Sequence, residues 1–365
     1  MLEDHTGQGR SCVVSSRMPE NRAFTFIRLP ASLTSNFMIS TLELKNFRGL
    51  EHVKFENLGR ANLIIGGNNT GKTSVLEALV LLFGRESQLR NLATTFRELP
   101  GNGQDQGLGF WKLLVRDEKI SEFKIEADGE AIEGKMNQSQ CQFVQLNAHQ
   151  GKSLPVVCFD PSWQPSVRRV QGSLRLSILS TKQADPSSVS ELYNQIAPLN
   201  PENETNLEKL LSSSIEPRLR RLRYAKLQGT QTHLVYVDLG EGPMLPFTQL
   251  GQAFARTLQI YCEIFANCPK ILLIDEIENG LYYEGMEDFW KGLMAVLEDQ
   301  DVQLFATTHS RECMEAAQRA ADTIAGDPLR FLRLDRRVDD PGKIVATTFG
   351  KEEMRTAMEF NREMR

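Results

Sequence analysis

Leu63-Ile64-Ile65-Gly66-Gly67-Asn68-Asn69-Thr70-Gly71-Lys72-Thr73-Ser74, running on into Val75-Leu76-Glu77-Ala78-Leu79-Val80-Leu81-Leu82-Phe83, is the stretch that decides the fold. Gly66, four residues, then Gly71-Lys72-Thr73 fits the phosphate-loop pattern G-x-x-x-x-G-K-[ST]. The flanks are those the loop requires. Asn62 to Ile65 is a short apolar run ending in glycine, as a buried parallel strand would be. Val75, Leu76, Leu79 and Leu82 recur at helical spacing. A strand that turns sharply into a helix aims backbone N–H groups and the positive helix end at one point, which is an anion site. Lys72 is expected to reach the β/γ phosphates of a nucleotide and the Thr73 hydroxyl to sit on Mg²⁺. Gly66, Asn68, Asn69, Gly71, Lys72, Thr73 and Ser74 are therefore the expected nucleotide-binding set.

Bulk properties narrow the class. A chain of 365 residues with 41% apolar and 24% charged residues is ordinary globular protein, one large α/β domain with a satellite or two average domains. A net charge of −5 gives no overall field toward nucleic acid, so DNA contact would need a local patch. The six cysteines (Cys12, Cys141, Cys158, Cys262, Cys268 and Cys313) form no C-x-x-C pair and read as reduced thiols of a cytoplasmic protein. No apolar run approaches the roughly 20 residues that span a bilayer, and no signal core opens the chain, so no membrane partner is expected.

Taken in order, residues 1–37 lack a period and read as a poorly ordered extension. Met38 opens the patterned domain and is a second candidate start. Two short strands flank Asn46-Phe47-Arg48-Gly49, and the phosphate loop follows. Residues 85–110 are polar and glycine-studded and read as a loop with little helix. Strands are expected at Phe110–Val115, Ile120–Ile125, Cys141–Leu146 and Leu154–Phe159, with a hairpin turn at Asp128-Gly129. Residues 162–186 are less readable. Two short helices are expected at Val189–Ile196 and Leu207–Ile215, then a strand at Leu234–Leu239 and a helix at Leu250–Phe265. Ile271–Ile274 and Val302–Ala306 are strongly apolar strands, separated by a helix whose inward stripe is Met286, Phe289, Trp290, Leu293 and Leu297. A further helix to about Ala321, strands at Phe331–Leu334 and Ile344–Thr348 and a polar last helix close the chain. No heptad run and no internal repeat appears.

The second half of the site lies far along the chain. Ile271-Leu272-Leu273-Ile274-Asp275-Glu276 is an apolar strand that releases two acids at its carboxyl end, where α/β sheets place their ligand crevice. Asp275 is expected to hold Mg²⁺ opposite Thr73. Glu276 is expected to orient and deprotonate the attacking water. His309 leaves the next apolar strand and is read as a γ-phosphate sensor. About 200 residues separate Lys72 from Asp275, far more than one βαβ unit, so a large insertion divides the site.

With those residues in place the chain resembles the ABC-type ATPase heads of the RecF, structural-maintenance-of-chromosomes (SMC) and OLD-like group, nearest the small stand-alone AAA-like members of bacterial defence loci. The matching segments are Leu42 to Gly49, the phosphate loop, Asp275-Glu276-Ile277-Glu278-Asn279-Gly280-Leu281, and Phe305-Ala306-Thr307-Thr308-His309-Ser310. The resemblance implies that Arg48 reaches toward the nucleotide phosphates, that Asn279 to Leu281 lie at a dimer seam and that His309 is a switch residue. It also implies a signature loop before the helix leading to Asp275. Thr248-Gln249-Leu250-Gly251-Gln252 is the match, with Gln249 and Leu250 where the family carries serine and a second glycine. Gly251 and Gln252 would complete the site of a second subunit. Gln145 and Gln164 are the candidates for the family's glutamine loop.

The fold expected is α/β: a P-loop NTPase with an ABC-ATPase-like mixed sheet, an N-terminal antiparallel β subdomain and a small helical insertion. The ATPase head spans 38–365, with its core in 38–84 and 245–365, a loop and β insertion at 85–186, and a helical lid and strand at 187–244. The function expected is an ATP-hydrolysing switch that dimerises around ATP and works in DNA repair or antiviral defence with a separate nuclease or toxin as effector. The alternative is a nucleotide-sensing scaffold with little turnover that gates such a partner. An ABC transporter ATPase is disfavoured by the family resemblance. Arg218, Arg220, Arg221, Arg223 and Lys226 form the densest basic cluster, with Arg168 and Arg169 a lesser one. A solvated face is the simpler account of both, and DNA contact the other.

Overall fold

The computed structural model describes residues 38–96, 122–136, 141–147, 152–159, 165–167, 175–182 and 185–359. The expected extension at 1–37, the strand at Phe110–Val115, and Gln164, Arg168 and Arg169 lie outside these residues. Residues 37–365 form one compact unit.

Its centre is a six-stranded sheet built from β3 (Ala61–Gly66), β9 (Leu176–Leu179), β13 (Ile271–Ile274), β14 (Gln303–Thr307), β15 (Leu329–Arg336) and β16 (Ile344–Phe349), in the order β16-β15-β3-β14-β13-β9. All pairings are parallel except β15 with β16, so the sheet is mixed, with one antiparallel edge. β3, β13 and β14 are apolar along nearly their whole length because helices or a second sheet cover both of their faces. Leu63, Ile65, Leu272, Ile274, Leu304 and Ala306 pack on one side, with α5 (Gln252–Asn267), α6 (Met286–Asp299) and α7 (Arg311–Asp322). Ile64, Ile271, Leu273 and Phe305 alternate to the other side, against α1 (Lys72–Phe83).

α1 in turn lies under a second sheet. β1 (Leu42–Phe47), β2 (Leu50–Phe55), β4 (Glu122–Ala127), β5 (Glu130–Met136), β6 (Cys141–Asn147), β7 (Lys152–Phe159) and β8 (Pro165–Val167) form an antiparallel sheet in the order β2-β1-β4-β5-β6-β7-β8. Sandwiching explains one departure from the sequence reading. The pattern of α1 suggests one apolar face, yet eleven of its residues, from Lys72 to Phe83, are buried. A buried amide fastens the base of the sandwich: Gln303 accepts from Ile39 N–H at 2.9 Å and donates to the carbonyls of Ile39 at 2.8 Å and Gly59 at 2.9 Å.

The insertion carries α3 (Pro186–Leu199) and α4 (Pro201–Ser214), each opened by an Asx cap and a proline, Asp185 before Pro186 and Asn200 before Pro201. A small sheet of β10 (Arg221–Lys226), β11 (His233–Asp238) and β12 (Leu245–Pro246) follows, and α8 (Lys351–Glu359) ends the described chain. One expectation needs correction, and two stretches left without an assignment gain one. Residues 86–95, read as loop, form the helix α2 (Glu86–Thr95), held by Gln88, which accepts from Arg85 N–H at 2.8 Å. The less readable stretch contains β9, a strand of the central sheet. The basic cluster at 221–226 is itself the strand β10.

Candidate functional site

Because β3, β14 and β13 are parallel neighbours, their carboxyl ends release the phosphate loop, Thr308-His309 and Asp275-Glu276 along one sheet edge. The loop is shaped by glycine where only glycine fits. Gly66 has φ +142°, and a Cβ there would stand 2.2 Å from the Leu334 carbonyl oxygen. Gly71 has φ +94°, and its Cβ would press Leu50 at 2.9 Å. Asn69 also takes a positive φ of 58°, and its carbonyl accepts from Arg336 at 3.0 Å. α1 starts at Lys72 with no side-chain cap and no acid in its first turn. Its leading N–H groups therefore have no competing anionic cap, the arrangement of a phosphate cradle.

Lys72 is folded over this cradle. Its Nζ donates to the carbonyls of Gly66 at 2.9 Å and Gly67 at 2.7 Å, and the residue is only 5% exposed. Burial pulls its pKa below the usual lysine range, against the opposing pull of Asp275, Glu278 and Glu276. Thr73 follows and meets the acids: its Oγ1 lies 3.5 Å from Asp275 Oδ1. Asp275, 5% exposed, also accepts from the Thr307 hydroxyl at 2.6 Å. Glu276 adopts φ +49°, rare for a non-glycine residue, and its N–H donates to Thr307 Oγ1 at 2.9 Å. His309 Nε2 stands 4.0 Å from Glu276 Oε1, and both side chains are partly open to solvent. The His309 N–H donates to Glu278 Oε1 at 2.8 Å.

A bound metal is implied by such a site. Thr73 and Asp275 supply two oxygen donors on facing elements, and no group of three or more His, Cys, Asp or Glu suited to a metal exists among the described residues. That donor set fits Mg²⁺, which takes one or two protein oxygens plus phosphate oxygens and water. It does not fit zinc.

The remaining expected residues fall as follows. Arg48, at φ +52°, is 8% exposed and pairs through Nε with Glu77 Oε2 of α1 at 2.5 Å, one turn beyond Thr73. Gly251, φ +92°, precedes α5 with open space around its Cβ position, and Gln252 begins the helix. Gly280, on the loop after the acids, packs against Gln252, its Cβ position 3.3 Å from that of Gln252. Thr248, Gly251, Gln252, Arg256, Asn279 and Gly280 line part of a cavity of about 460 Å³ between the two loops. Arg256 ties α5 to the acid-bearing strand, donating to the carbonyls of Asp275 at 3.4 Å and Ser180 at 3.2 Å. Gln145 falls on β6.

Thr307, Glu278 and Arg256 were given no role by the sequence reading. Thr307 and Glu278 stand inside the quoted motifs. The available signal was a hydroxyl directly after a core strand and a second acid two residues beyond Glu276. Of the basic cluster, Arg218 is engaged by Glu216, with Nε at 2.9 Å from Oε1. Arg221 and Arg223 project from the edge strand β10. Cys262, Cys268 and Cys313 are free thiols, and no helix among the described residues is long and apolar enough to cross a membrane.

Comparison with known proteins agrees with this geometry. A family model described as "AAA ATPase domain" matches residues 38–157, and one described as "AAA domain, putative AbiEii toxin, Type IV TA system" matches 165–315. An "ATP/GTP phosphatase" of Helicobacter pylori is 22% identical over 326 residues, covering 76% of this chain and 87% of that protein. The DNA replication and repair protein RecF of Bacillus mycoides is 33% identical over 138 residues, 36% of this chain and 35% of RecF, so the chain matches about a third of that relative's length. The SMC head domain of Thermotoga maritima superposes with a TM-score of 0.48 at 11% identity, over 86% of this chain and 99% of that one. A glycine-shaped phosphate loop facing the acids of a neighbouring parallel strand thus stands in a chain that is similar, over residues 38–157 and 165–315, to two AAA-domain models.

Proposed function

We propose that the chain binds ATP·Mg²⁺ at Lys72, Thr73 and Asp275 and hydrolyses it slowly, with Glu276 as general base. The 3.5 Å approach of Thr73 to Asp275, from elements 202 residues apart in sequence, is the observation that carries this reading. Gly66, Asn68, Asn69, Gly71 and Ser74 surround the phosphates, and Lys72 exchanges its two carbonyl acceptors for phosphate oxygens. Mg²⁺, held by Thr73 and Asp275, would neutralise phosphate charge. Glu276 takes a proton from the attacking water, and His309, 4.0 Å from it, senses the γ-phosphate from the other side.

The active unit is a homodimer in which Gly251 and Gln252 of one subunit close the Lys72 site of the other. Support comes from the open space around Gly251 and from the packing of Gly280 on Gln252, which joins the two seam loops. Arg48, paired with Glu77 on α1, turns toward the phosphates only when that pair opens. Such a switch serves DNA repair or antiviral defence through a separate nuclease or toxin. The RecF match supports the first setting, and the toxin–antitoxin wording of the second family model the second. DNA contact, if made, falls to Arg221 and Arg223 on β10, and the setting is cytoplasmic.

Phosphate release from ATP by the purified protein, compared with Glu276→Gln, tests the reading. The parent should turn over and the variant bind without turnover. A parent that binds ATP yet releases no phosphate, alone or with DNA, supports instead the scaffold that holds nucleotide to gate a partner.

A further inference from the structure

We propose that Thr307 is the positioning residue for both acids, an inference that rests on the ATP·Mg²⁺ site described above. Its hydroxyl has one proton and two lone pairs, and the structure commits both functions. The proton goes to Asp275 Oδ1 at 2.6 Å, and a lone pair receives the Glu276 N–H at 2.9 Å. Thr307 is 1% exposed, so water does not compete for these bonds.

The location explains why a side chain does this. The β13–β14 ladder ends at the pair Ile274↔Ala306, and the backbone of Thr307 is registered with Ile64 on its other side. Past Ile274 the chain must leave the sheet to present its acids. Thr307 extends the ladder with its hydroxyl, and its carbonyl then accepts the Ile277 N–H at 3.0 Å. These two bonds bracket Glu276 and hold it at φ +49°, a conformation costly for a residue with a Cβ. Glu278 continues the zipper to the His309 N–H. One hydroxyl thus fixes the metal-facing carboxylate, the backbone of the general base and the spacing between them. Thr307 acts through these bonds to Asp275, Glu276 and Ile277.

The test compares Thr307→Val, which keeps the shape and removes the hydroxyl, with Thr307→Ser, which keeps the hydroxyl. Thr307→Ala against Thr307→Ser decides the matter if the valine variant fails to fold. The probes are Mn²⁺ affinity by electron paramagnetic resonance in the presence of a non-hydrolysable ATP analogue, and kcat and KM for ATP. Loss of a group that orients a metal ligand should weaken Mn²⁺ binding and lower kcat by about 10–100-fold. KM for ATP·Mg²⁺ should rise with the loss of metal affinity, affinity for ATP without metal should stay close to the parent's since the phosphate loop is untouched, and serine should restore most of these losses. A valine or alanine variant equal to the parent, or a serine variant as impaired as alanine, overturns the inference. A parent that binds no analogue overturns the site itself, which is a separate result.

Discussion

Gly66→Ala probes the phosphate loop at the point where its shape is most constrained. The new Cβ would meet the Leu334 carbonyl oxygen at 2.2 Å, and Gly66 and Leu334 are the last registered pair between β3 and β15. Ordinary carbon–oxygen contact needs a little over 3 Å, so the strand ends must part by about 1 Å. Overpacking of that kind costs about 1–3 kcal/mol. The φ of +142° adds strain of about 1–3 kcal/mol for any residue with a Cβ. Together these give about 2–6 kcal/mol, a fall in Tm of roughly 4–12 °C for a domain of this size. The Gly66 carbonyl, on the strand end that must move, is one of the two that hold Lys72, so ATP affinity should fall with stability. Gly67→Ala is the matched control: its Cβ would meet only Thr70 Cγ2 at 3.7 Å. Differential scanning calorimetry with and without ATP·Mg²⁺ reads both effects. A Gly66→Ala protein with parental Tm and parental ATP shift would refute the reasoning, as would equal damage from Gly67→Ala.

Two further outcomes follow from the ion pair and the seam. Arg48 and Glu77 are 8% and 0% exposed, so Glu77→Gln should cost about 3–5 kcal/mol in urea unfolding, while Arg48→Met with Glu77→Leu should cost far less; a negligible single-variant loss would deny the pair its place in the core. Glu276→Gln should gain mass by light scattering when ATP is added, a gain absent in Lys72→Ala and weakened by Gly251→Asp. A mass indifferent to ATP points to constitutive assembly or a signature loop that does not act in trans.

Much of the fold was legible because strong local rules and tertiary context agreed. β3, β13 and β14 read correctly as buried core strands since their apolar runs end abruptly in glycine, acids or Thr-Thr-His. The Asp128-Gly129 turn was legible because both residues need positive φ, 44° and 87°. β9 was missed because four residues of an inserted strand carry no period of their own and pair only through β13. α2 was missed because most of its residues are polar; Leu89 and Leu92 are buried apolar anchors among its described side chains. β10 was hidden by its charges, since an edge strand needs only one buried face, here Leu222. At the site, Lys72, Thr73 and Asp275 were legible as types at known spacing. The role of Thr307 was not, because a hydroxyl bridging two consecutive acids depends on the register between β13 and β14.

Calorimetric titration of ATP·Mg²⁺ into the parent and Lys72→Ala tests the central claim most directly. Nζ of Lys72 sits on two loop carbonyls, and in the proposed complex it would turn to the phosphates and balance their charge. The parent should bind one ATP per chain, and the Lys72→Ala protein, still folded by circular dichroism, should bind little or none. Equal affinity in the two proteins would contradict the assignment of this loop as the ATP site.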